Sequence, residues 1–187
     1  MDSPTTTEMA AATDALRRVF KSQYHAALAM LREAIELCPD ELWLDERPKN
    51  SFWQVAYHTL FFTQLYVGQD AASFERWAEH QRDNQNEDGI VGEPDPKSTL
   101  PLGPRPYSKE QVLRYWAIVD GMIDPTVDAL DLTRTDSGFS WYTMSKLEHQ
   151  ILSIRHLQHH IGQLADRLRA ASGTHVSWVG ARRAPKA

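Results

Sequence analysis

The chain has one cysteine, Cys38, in 187 residues, so no internal disulfide can form and a reducing, cytoplasmic setting is expected. In "ELCPDEL" that thiol sits beside Pro39, Asp40 and Glu41, which do not stabilise a thiolate, and Cys38 reads as structural. Long apolar runs are missing too. None approaches the roughly 20 residues of a membrane-spanning helix, and "MDSPTTTEMAAAT" lacks the basic-then-apolar order of a secretory leader. Positive charge is scarce: 20 Lys+Arg against 25 Asp+Glu give a net charge of −5. No Lys/Arg cluster builds a basic face, so neither nucleic acid nor membrane is an expected partner. The short basic ending "GARRAPKA" reads as a frayed, solvated terminus. Several catalytic signatures are absent as well. There is no Gly-rich phosphate loop, no G-x-S-x-G elbow, no H-E-x-x-H and no Glu-x-x-His of the di-iron bundles.

What is present is ordinary globular composition, with 42% apolar residues and six tryptophans, enough for one domain over 1–187 with a real core. Apolar residues recur at helical spacing from Thr6 or Thr7 to Leu37, where Pro39 stops the pattern. A second helix opens at "NSFWQ", where Ser51 and Gln54 fit a capping box, and runs to about Val67. From Gly68 to Tyr107 the period is lost and five prolines accumulate. "AASFERWAEHQ" could supply a short helix there, and the remainder reads as a long binding or lid loop. Ser108 and Gln111 cap a third helix, which Pro125 is expected to kink or break. A fourth begins near Ser145 and Glu148 and ends at Gly173, before a tail over 174–187. Four helices with a long crossover between the second and third predict an all-α four-helix bundle.

The histidines carry the chemistry. In the fourth helix Leu147, Ile151, Ile154, Leu157, Ile161, Leu164 and Leu168 form an apolar stripe, with His156 and His160 on its flank and His159 pointing to water. An i, i+4 pair lets two imidazoles converge on one ion, although such pairs also occur merely solvated. His149 shares the face but lies almost two turns upstream. The second helix is apolar nearly all round, which predicts that His58 at its middle is buried and needs a partner. A hydrogen bond would satisfy it, as would a shared metal with His156 and His160. Spacing alone leaves both open. His25, His80 and His175 read as surface or groove residues, and Tyr24, Tyr57 and Trp53 as core.

"WQVAYHTLFF" and "HLQHHIGQL", taken together, resemble the DinB/YfiT-like superfamily over essentially the whole chain. The resemblance implies a four-helix bundle with a mononuclear metal site in which His58, His156 and His160 are the ligands and His159 is not. It also implies that Gly162 permits close helix approach. Zinc or nickel suits three imidazoles best, with iron or manganese next. Members of such families include transferases and isomerases that use a low-molecular-weight thiol, so a thiol cosubstrate and a small electrophilic substrate are expected here; a homodimer through a helix face is expected because many small bundles associate in that way. Gln54 and Gln163 are the candidates for orienting the ligands. The alternative is a bundle that binds metal, or works through stress-linked association, without turnover.

Overall fold

Thr5 starts the first helix by closing a capping box: its side chain accepts from the Glu8 amide, while the Glu8 carboxylate accepts from the Thr5 N–H at 2.8 Å. The computed structural model describes residues 5–81, 84–85 and 105–182. Among them are five helices and no strand: α1 (Thr6–Leu37), α2 (Asp40–Trp43), α3 (Phe52–Val67), α4 (Lys109–Ala129) and α5 (Lys146–Ser172). The all-α bundle is therefore built from α1, α3, α4 and α5. The single turn α2, unanticipated in the linker, buries Trp43, whose indole N–H donates to the Tyr107 carbonyl at 2.8 Å.

The other helix ends follow their local chemistry with three corrections. Ser108 and Gln111 form the expected box, Ser145 accepts from the Glu148 amide, and Gly173 ends α5 at φ 71°. Ser51 holds the N-cap of α3 but makes no side-chain capping bond, so the expected box with Gln54 is not formed. Burial of almost the whole circumference of α3 holds this helix instead. Pro125 does not break α4, which continues to Ala129. No helix forms in "AASFERWAEHQ". There the Asp70 carboxylate takes the Ser73 amide, a local bond that competes with helix, and Trp77 stacks flat on Tyr115 at 4.7 Å.

α3 packs on α4 and α5, and α1 packs on the same two helices from the opposite side, so α1 and α3 stand diagonally. Leu28, Leu31, Leu60, Ile123, Leu157 and Leu164 meet in the centre and are fully buried. The face that α5 buries is more polar than the expected stripe. Ile151 is 50% exposed, whereas Lys146, His149, Gln150 and Ser153 are buried. Gln150 earns its place by donating to the Tyr66 carbonyl and accepting from the Tyr24 hydroxyl. The described part of the tail is not frayed. Ser177 bonds Glu33, the Gly180 carbonyl accepts from Gln23, and Arg182 pairs with Asp124 at 2.8 Å, tying 174–182 across α1 and α4. No helix among the described residues is long and apolar enough to cross a membrane.

Candidate metal centre

The contact of α3 with α5 sets His58 opposite the His156/His160 pair. His58 and His160 are 7% and 6% exposed, and His156 is partly buried. The Nε2 of His156 lies 3.4 Å from Nε2 of His58 and 3.1 Å from Nε2 of His160. In a tetrahedral site with metal–nitrogen bonds near 2.0–2.1 Å, neighbouring ligand nitrogens stand about 3.3 Å apart. The two observed edges match that spacing. Among the described residues these three form the group of His, Cys, Asp or Glu side chains able to hold an ion, with ligand atoms within 4.8 Å of one another.

The outer nitrogens fix which inner ones are bare. His58 Nδ1 lies 2.6 Å from the Gln85 backbone carbonyl, which can only accept, so the proton is on Nδ1 and Nε2 presents its lone pair. His160 Nδ1 lies 2.9 Å from Gln163 Oε1, with the same consequence. The Gln163 amide nitrogen in turn stands 3.2 Å from His159 Nε2. The Nε2 atoms of His58 and His160 face that of His156 at 3.4 and 3.1 Å, a spacing that a shared cation would fit. Burial, then the neighbouring His160 and His58, push the pKa of His156 down to about 3. Phe62 flanks both His58 and His156, with ring centroids at 4.6 and 5.7 Å, and Tyr66 stands 6.0 Å from His156.

A sequence profile of the DinB superfamily matches residues 23–164. The chain belongs to the DinB superfamily. No curated protein and no solved structure matches it.

This DinB bundle brings together His58, His156, His160 and Gln163. Gln54 lies one turn before His58 on α3 and is partly buried, and the acceptor at His58 is instead the Gln85 carbonyl. A backbone carbonyl leaves no mark in the residue pattern. His159 is exposed but not a bystander, since Gln163 links it to His160. Gly162 does not mediate close helix approach: it is exposed, and a Cβ there would meet open space. His149 is buried in an aromatic box away from the group. His175 is exposed as expected, whereas His25 and His80 have definite partners. His25 sits between Asp120 (2.6 Å) and Asp124 (3.0 Å), and His80 Nδ1 lies 2.6 Å from the Tyr57 hydroxyl. Both partnerships join residues far apart in sequence. The expected loop over Gly68–Tyr107 lies partly outside the described residues, and its described part reaches the site through Gln85.

Proposed function

We propose that this DinB protein is a mononuclear metal-dependent enzyme whose ligands are His58, His156 and His160. The ion, zinc or nickel before iron or manganese, serves attack by a low-molecular-weight thiol or water on a small electrophilic substrate. The carrying observation is the convergence of the Nε2 atoms, with the protons of His58 and His160 held on the opposite nitrogens by Gln85 and Gln163. Bound there, the ion would supply Lewis acidity that lowers the pKa of a coordinated water or thiol. The chain's own part is positional. Gln163 and the Gln85 carbonyl orient two ligands, while Phe62 and Tyr66 supply apolar walls that thin the water around them. Three neutral imidazoles leave the charge of a divalent ion uncompensated, which favours an anionic partner such as a thiolate.

The test is a thiol-transfer screen on metal-analysed, untagged protein, using several low-molecular-weight thiols with small electrophiles, with and without chelator. Turnover that chelator abolishes and the metal restores supports the reading. Stoichiometric metal without turnover across the thiols and water points to a metal-binding bundle and overturns the enzymatic part.

A further inference from the structure

His58 owes its orientation to a stretch of chain outside the helices. Its Nδ1 donates to the Gln85 carbonyl at 2.6 Å, and that carbonyl is held by its neighbours. Asn84 is fully buried, and its side-chain amide donates to the Arg105 carbonyl at 3.0 Å. Two residues on, the buried Tyr107 hydroxyl donates to the Glu79 carbonyl (2.9 Å) and accepts from the Gln81 amide (2.7 Å). Glu79, Gln81 and Asn84 are thus stitched to residues 105–107. They are also fixed to α3, because the Tyr107 and Tyr57 rings meet at 4.6 Å and Tyr57 precedes His58 in the chain. Asn84 Oδ1 is buried without a hydrogen-bond partner. An apolar residue would avoid that penalty, so the use of asparagine points to its one donor bond.

Resting on the metal reading above, we propose that Asn84 and Tyr107 are positioning residues for His58: they hold the Gln85 carbonyl where it keeps the proton on Nδ1 and aims Nε2 at the ion. The two ends of an imidazole are electronically joined. An acceptor at Nδ1–H makes Nε2 a better ligand, and an ion at Nε2 makes Nδ1–H a better donor. The coupling is reciprocal, so metal affinity and seating of this segment must rise or fall together. Loss of such an outer partner costs roughly 10–100-fold in metal affinity.

Co2+ is the probe, titrated into full-length protein against a chelator while the visible ligand-field bands are recorded. Asn84→Asp removes the donor at nearly constant shape, and Tyr107→Phe removes the clamping hydroxyl while keeping the ring. Both are expected to weaken Co2+ binding by roughly 10–100-fold and to change the bands. Tyr24→Phe, which deletes the buried hydroxyl bonded to Gln150, is the control for general destabilisation and should keep the wild-type affinity and bands. Should Tyr107→Phe not fold, Asn84→Asp decides. Wild-type binding and bands in the variants overturn the positioning role alone, and so does an equal loss in the control. Wild-type protein that takes up no Co2+ overturns the metal reading and this one with it.

Discussion

His58 and His156 approach nitrogen to nitrogen at 3.4 Å although 98 positions separate them in the chain. Alanine at His58, His156 or His160 should therefore abolish stoichiometric metal in untagged protein, as read by elemental analysis. His159→Ala should keep it, because that exposed ring meets His160 edge to face at 5.1 Å and bonds Gln163 but adds no nitrogen to the group. Retention of one ion per chain by His58→Ala and His160→Ala would sink the ligand assignment.

Gln163 offers a milder version of the same test. Its Oε1 accepts from His160 Nδ1 at 2.9 Å, and leucine cannot. Gln163→Leu is expected to weaken metal binding about 10-fold with little change in melting temperature, since the residue is exposed. An unchanged affinity in a chelator competition removes Gln163 from the site.

Acid sensitivity should trace to two buried imidazoles, His156 and His149, of which His149 lies outside the metal site. This ring is fully buried, stacked on Phe139 at 4.6 Å, with both nitrogens unpartnered. Burial first, and then the Lys146 charge, push its pKa from 6.5 down to about 4. In the unfolded chain it regains its ordinary value, so between pH 6.5 and about 4 only the unfolded state takes up this proton. Stability is accordingly full above pH 6.5 and declines as the pH falls through that window, by at most about 3 kcal/mol. His149→Leu should flatten this decline and stabilise the protein by about 1–3 kcal/mol near pH 5. Denaturant midpoints at pH 7.5 and 5 measure both effects, and a wild-type pH slope in the variant refutes the assignment.

Gly138 joins the α4–α5 connection to the segment after α3. Its φ is +82°, and a Cβ there would run into the Gln69 carbonyl and the Asp70 backbone. Its own carbonyl accepts from the Ala71 amide at 3.1 Å. Gly138→Ala must distort both loops and should cost roughly 2–4 kcal/mol in equilibrium unfolding. A loss below about 0.5 kcal/mol, the range of an ordinary surface change, would show that the turn relaxes freely.

The readable parts of the molecule were those set by local chemistry. Ser108, Ser145 and Gly173 marked helix ends because capping acts over three or four residues. His58 could be placed inside because its helix is apolar on every side. The buried polar row of α5 was hidden, since Lys146, His149 and Gln150 are buried against residues distant in sequence, and apolar periodicity marked Ile151 in their place. The Gln85 carbonyl was hidden for a stronger reason: every residue type carries one.

The diagonal placement of α1 and α3 bears on biosynthesis. Consecutive bundle helices that packed together could form a hairpin as soon as both were made, but here the first two long helices each pack chiefly on α4 and α5. α3, apolar around its circumference, emerges before either of its packing partners and waits until α4 and then α5 are synthesised. Nascent chains stalled between Val67 and Lys146 would thus display an uncovered apolar helix, the kind of surface that holdase chaperones bind and that aggregates when they are scarce.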